Sequence, residues 1–174
     1  MQIIILLSAV FIVLLSPVNV YADQTASASI IRESRIEEAR DDRLIRMEKA
    51  LSLYHSDLAP YSKFIIDISD KYDLPWSLIA SISGVESGFC RNIPKFSYNC
   101  WGWANGNRSF TGFEDALETV ASGLKQIYFD RGLTTPELIN PIYAPPTPSW
   151  ARKVRFFMSA IENQTPDINL EFNL

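Results

Sequence analysis

One histidine, two cysteines and seven glycines are all that these 174 residues hold of three residue types on which much enzyme chemistry depends. The single histidine, His55, sits beside a stretch dense in charge, far from any nucleophile motif, so a Ser-His-Asp triad is not supported. Two cysteines and one distant histidine do not make a zinc shell, and no metal or cofactor is expected. There is no glycine-rich phosphate loop, and Gly-Val-Glu-Ser-Gly at 84–88 is not the G-x-S-x-G nucleophile elbow. No run of Lys or Arg appears and the net charge is −4, so neither nucleic acid nor an anionic membrane is favoured by bulk electrostatics. No internal repeat is present. What remains is a chain with 47% apolar residues, long enough for one domain with a real core.

Charge is also missing from the first 22 residues, MQIIILLSAVFIVLLSPVNVYA. The apolar run ends on Val20-Tyr21-Ala22, which fits a secretory signal with small residues before the cleavage point. The alternative is an uncleaved membrane anchor, since residues 3–22 are just long enough to span. Either way the remainder is expected to be secreted or held in the cell envelope. In an oxidising compartment the two cysteines, Cys90 and Cys100, are expected to pair, closing a loop of about eleven residues worth about 3 kcal/mol on the chain-entropy argument. Two free buried thiols are the alternative.

The pattern along the chain is mainly α. Residues 23–29 are small and polar, a linker. Residues 30–54 read as a long, charged helix whose apolar stripe (Leu44, Met47, Leu51, Tyr54) appears only late, with Asp42 and Arg46 as an i,i+4 pair. The favoured reading is a solvated helix or short stalk, and 23–60 is taken as a segment outside the main domain. A helix at 61–72 carries Phe64, Ile65 and Ile68 on one side. Asp73 and Pro75 open the next, which carries Leu78, Ile79, Ile82, Val85 and Glu86 and stops at Gly88. Residues 90–110 read as loop or short strand. Thr111 to Glu114 has capping-box spacing and opens a helix with apolar residues at 113, 116, 117, 120, 124, 127 and 128. A short helix from Thr135 to about Asn140, a proline-rich connection over 141–148 and a last helix over 149–162 follow. The tail, 164–174, is polar.

Glu86 is the residue with chemical promise. At 100° per residue it shares a helix face with Ile79 and Ile82, which places it at the edge of the core. Burial and the nearby helix C-terminus both disfavour its charged form and raise its pKa, as a general acid requires. Aromatic residues crowd the chain after it: Phe89, Phe96, Tyr98, Trp101 and Trp103. Flat aromatic faces beside a carboxyl suit a sugar ring. Trp76 and Trp150, at helical spacing, are read as core.

These motifs together carry a resemblance. Ile82-Ser-Gly-Val-Glu-Ser-Gly-Phe89 resembles the helix end that bears the catalytic acid in lysozyme-like peptidoglycan hydrolases. Asn99-Cys-Trp-Gly-Trp103 is similar to the N-x-[FW]-G-[IW] segment of the bacterial glucosaminidases. Phe110 to Leu124, Tyr143-Ala-Pro145 and Trp150-Ala-Arg-Lys-Val154 look like the family's following helix, cleft tyrosine segment and closing helix, in the right order. The resemblance covers about 61–163 and implies a lysozyme-like fold that cuts N-acetylglucosaminyl β-1,4 bonds of peptidoglycan strands. It implies Glu86 as general acid, Tyr143 near the reaction centre, and Phe89, Tyr98, Asn99, Trp101 and Trp103 as sugar contacts, with Gly102 allowing close approach of backbone to ligand. Cys90 and Cys100 lie outside the family pattern. Ordinary glycosidases use two carboxylates. Glu114, Asp115, Asp130 and Glu137 are available, none in a catalytic motif, and Glu114 is better explained as the capping-box residue. A lytic transglycosylase or muramidase on the same fold, a non-catalytic glycan-binding domain, and an assembly factor acting through the charged helix are the competing expectations.

Overall fold

The computed structural model describes Arg32, residues 42–145 and residues 147–164. The chain divides into two units, Met1–Glu37 and Glu38–Leu174, and every helix traced below lies in the second. The expected export signal or anchor at 1–22, the linker at 23–29, most of the charged segment up to 41 and the tail beyond 164 lie outside the described residues.

The described residues are helical, with turns and loops between the helices and no strand. We number the helices α1 (42–53), α2 (Ser62–Lys71), α3 (Leu78–Ser87), α4 (Phe113–Ile127), α5 (Pro136–Tyr143) and α6 (Trp150–Glu162), with 3₁₀ turns at Ala59–Tyr61 and Phe129–Arg131. The expected mainly α class is what is found, and the segment 90–110 is loop and turn rather than strand.

Helix α3 is the centre. Leu78, Ile79, Ala80, Ile82, Ser81, Ser83, Gly84 and Ser87 are all buried, so it is enclosed on nearly every side. Its buried serines cost little, because each hydroxyl finds a carbonyl: Ser81 donates to Ser77 and Ser83 to Ala80, one turn back, and Ser87 donates to Cys100. The missing side chain at Gly84 is what admits Phe89, since a Cβ there would lie 2.6 Å from its Cζ. Helix α6 packs most extensively on α3, α5 packs on α6, and α2 packs on α4.

Three sequence expectations are corrected. First, the core begins earlier than residue 61. Met47, Ala50, Leu51 and Leu58 are fully buried, and Tyr54 stacks on Phe89 at 4.3 Å between ring centroids. Arg43 reaches Asp70 at 2.8 Å and Arg46 donates to the Glu162 carbonyl. The described end of the charged segment is therefore part of the packed domain; its late apolar stripe was the signal. Second, the capping box is not formed. The N-cap is Gly112, in extended backbone, and Thr111 sits one residue outside it, where its N–H and Oγ1 both donate to Asp115 Oδ2 at 3.0 Å. Asp115 therefore takes the role expected of Glu114. Third, α5 does not stop near Asn140. It runs through Pro141 to Tyr143, because Asn140 holds the exit: its Nδ2 donates to the Ala144 carbonyl at 2.9 Å and the Thr147 carbonyl at 3.2 Å. Thr135 caps the start, as its spacing suggested, accepting from Leu138 N–H.

Candidate active site

The chain leaves α3 by an unusual route. Gly88, Phe89 and Cys90 are successive residues with φ of 61°, 60° and 68°. A left-handed backbone is cheap for glycine but costs about 1–2 kcal/mol for each of the other two. Tertiary contacts hold it. Phe89 is 1% exposed, packed between Tyr54 and Phe157, and its carbonyl accepts from Ser56 Oγ at 2.9 Å. Ser87 Oγ accepts from Cys90 N–H and donates to the Cys100 carbonyl at 2.8 Å. Cys90 and Cys100 form the expected disulfide, with Cα atoms 4.7 Å apart. The end of α3 is thus tied covalently and by hydrogen bonds to the strip 100–103.

That strip lies over Glu86. Gly102, at φ 61°, brings its backbone so close that a Cβ would lie 3.3 Å from Glu86 Oε2. The glycine was expected to admit a ligand; here it admits the carboxylate. The other oxygen, Oε1, accepts from the indole N–H of Trp150 at 2.6 Å. Glu86 as a residue is exposed, a departure from the buried face expected of it, because the last turn of α3 emerges from the core beside the 100–103 strip. Its carboxyl is nevertheless crowded on both oxygens, and loss of water raises its pKa above the ordinary 4.5, against the opposing pull of the Trp150 bond. Replacing Trp150 with phenylalanine keeps an aromatic ring and removes the donor. The Glu86 pKa is expected to rise further, a shift that side-chain carbon NMR titration would read directly.

Tyr143 stands on the last turn of α5, stacked on Trp150 at 4.9 Å, and donates to the Trp101 carbonyl at 2.6 Å. Burial, then the Glu86 charge and Tyr128, hold its pKa well above 10. It is a neutral donor, and its hydroxyl is committed to the backbone of the strip above Glu86.

Beside this group opens a groove of about 300 Å³ lined by Gly102, Trp103, Ala104, Ile127, Tyr128 and Tyr143, together with Asn105 and Ile142. No carboxylate is among its lining residues. Trp103 forms one wall by packing against Gly123 of α4, where a Cβ would come within 2.3 Å of its Cζ2. Gly123→Ala is expected to push Trp103 out and to cost about 1–3 kcal/mol of stability, measurable as a lower denaturation midpoint.

The expected sugar contacts therefore separate. Gly102, Trp103 and Tyr143 line the groove beside Glu86. Phe89 and Trp101 do not: Trp101 is 0% exposed, with its indole N–H donating to the Ile79 carbonyl at 2.9 Å. Asn99 is buried too. Its Nδ2 donates to the carbonyls of Trp103 and Arg108, and its Oδ1 accepts from Trp103 N–H, so it shapes the loop rather than facing a ligand. Tyr98 lines a different groove. Loops pack their largest aromatics inward where apolar area is worth most, and spacing alone does not say which ring turns which way.

Sequence reasoning missed Trp150 as a partner of the acid, and Tyr128 and Ile127 as groove walls. Trp150 is buried, as expected, and only its N–H marks it. Ile127, expected inward, is 41% exposed because α4 ends there and the chain turns into the 3₁₀ turn. Gly123 inside a helical pattern was a readable sign of close packing.

The fold and site define a mainly α protein with one crowded glutamate of raised pKa packed against Gly102, in the wall of an aromatic groove. Comparison with protein-family models, with curated proteins and with solved structures finds no match.

Proposed function

We propose that this protein is an exported peptidoglycan hydrolase of lysozyme-like type that cuts N-acetylglucosaminyl β-1,4 bonds, with Glu86 protonating the leaving glycosidic oxygen. One observation carries the proposal. Glu86, whose pKa is raised by loss of water, is held by the Trp150 N–H and lies against Gly102, a residue of the aromatic groove's wall. A carboxyl so placed is suited to give a proton to an oxygen arriving in the groove. Trp103, half-buried in the groove wall, offers a ring face to the CH face of a sugar. Tyr143 acts by holding the Trp101 carbonyl and so the strip over the acid.

A second reading is favoured by the groove's composition. A two-carboxylate mechanism needs a partner acid across the scissile bond. Glu137 is paired with Arg155, which holds its pKa at about 2. Asp115 is bonded to Thr111, Asp130 lies 3.5 Å from Lys125, and Glu114 projects from the first turn of α4. None lines the groove. Chemistry that uses the substrate's own N-acetyl group, or a lytic transglycosylase that leaves a 1,6-anhydro end, requires only the one acid.

Digestion of purified peptidoglycan, followed by borohydride reduction and mass spectrometry of the new ends, tests both. Reduced N-acetylglucosamine ends mark the glucosaminidase, reduced N-acetylmuramic acid ends a muramidase, and 1,6-anhydro ends the transglycosylase. No release from several wall types would leave a glycan-binding module or assembly factor.

A further inference from the structure

The disulfide-closed loop builds a second groove, also about 300 Å³, whose lining includes Asp57, Arg91, Lys95, Phe96, Tyr98 and Phe113. Its aromatic floor is Tyr98 and Phe113, which meet edge to face at 5.1 Å; Tyr61, outside the lining, backs Phe113 at 5.2 Å. At its rim Phe96 is 84% exposed, held at φ 62°. A bulky residue in left-handed backbone, presented to water, is neither core packing nor low-energy loop geometry.

The loop that presents it is firmly built. Its ends are joined by Cys90–Cys100, Ser97 N–H donates to the Pro94 carbonyl, and Phe110 N–H donates to the Ser97 carbonyl. The charges around it are arranged for use. Both lysines of α2 and the arginine that α1 lays on it are ion-paired, as Lys63–Asp67, Lys71–Glu118 and Arg43–Asp70. Arg91 and Lys95 have no acidic partner among the described residues. Arg91 is oriented all the same, by the bond from its Nε to the Gly88 carbonyl at 3.0 Å, which leaves its two terminal nitrogens open. Asp57, likewise without a cationic partner among the described residues, supplies one anion to the same groove.

Two open cations, one open anion and an aromatic floor form the complement of a short peptide that carries carboxylates, a free amine and apolar side chains. A neutral glycan would leave all three charges unanswered. We propose that this groove binds an acidic peptide and, resting on the wall-hydrolase reading above, that the peptide is the stem of the peptidoglycan whose glycan strand enters the groove beside Glu86. Arg91 and Lys95 take stem carboxylates, Asp57 takes the amine, and Phe96 covers the side chains between them. The loop then acts as a second grip on the polymer, selecting glycan that still bears its peptides.

The test is titration of the full chain with a synthetic stem pentapeptide, followed by NMR chemical shifts. Binding is expected, weakened at least tenfold when the peptide carboxylates are amidated, and weakened similarly in Arg91→Glu/Lys95→Glu and in Phe96→Ala. These are exposed positions, and an unchanged melting temperature checks that the variants fold. Glu86→Gln should bind the peptide as the wild type does. No binding, or equal binding of the amidated peptide, would overturn the groove assignment. Equal binding of an unrelated acidic pentapeptide would overturn its assignment to the wall. Peptide binding and glycan cleavage are separate readouts, so failure of the Glu86 chemistry is distinguishable from failure of the groove.

Discussion

Glu86→Gln is expected to lower turnover of peptidoglycan by about 10²–10⁴-fold while leaving binding of glycan fragments close to the wild-type level. Glutamine fills the same space and can still accept the Trp150 N–H, so only the transferable proton is removed. The pH dependence has a definite sign. A general acid works in its protonated form, so the wild-type rate should fall as pH rises through the Glu86 pKa, which burial places above 4.5. The stability effect runs the same way. A carboxyl whose pKa is higher folded than unfolded contributes stability that is complete below the unfolded value and is lost as pH rises through the folded one. Above its folded pKa the native glutamate is a crowded anion, and glutamine is not. The variant should melt at the same temperature as the wild type or higher. An inactive variant that also melts early would mean that Glu86 is a structural residue; an active one would remove it from the chemistry.

Opening the Cys90–Cys100 bond, by reductant or by Cys90→Ala/Cys100→Ala, is expected to cost about 3 kcal/mol, or roughly 10 °C of melting temperature. That figure is comparable to the cost of holding Phe89 and Cys90 left-handed, about 2–4 kcal/mol for the two. The bond therefore offsets an irregular exit from α3 that the site depends on. When it opens, the Ser87–Cys100 contact and the approach of Gly102 to Glu86 lose their constraint, so activity should fall together with stability. Thermal unfolding and turnover, measured side by side with and without reductant, check this. An unchanged melting temperature would mean that the loop is held by packing alone.

Much of the architecture was legible because it rests on local rules. Apolar spacing located the helices, Gly88 stopped α3 in the left-handed conformation that glycine favours, Thr135 and Pro136 opened α5, and the short separation of two cysteines anticipated their bond. Glu86 was legible as well, from its position near the end of an apolar helix and the aromatics after it. The details that failed depend on side-chain contacts that apolar spacing does not encode, some local and some between distant segments. Asn140 carries α5 past Pro141 only because carbonyls at 144 and 147 fold back onto its amide. The 42–58 segment joins the core because Met47, Ala50, Leu51 and Leu58 are buried there and Phe89 offers Tyr54 a ring to stack on.

The same division runs through the site. The sequence by itself determined that a lone glutamate would end α3 in aromatic surroundings with a closed loop behind it, since periodicity, helix punctuation and cysteine separation act over a few residues. Which aromatics face the groove was decided by tertiary structure alone. Trp101 turns inward to the Ile79 carbonyl, Trp103 lies outward on Gly123, and Trp150, 64 residues from Glu86, brings its N–H to the acid. Every indole N–H needs a partner when buried, and that partner belongs to whichever helix packs alongside.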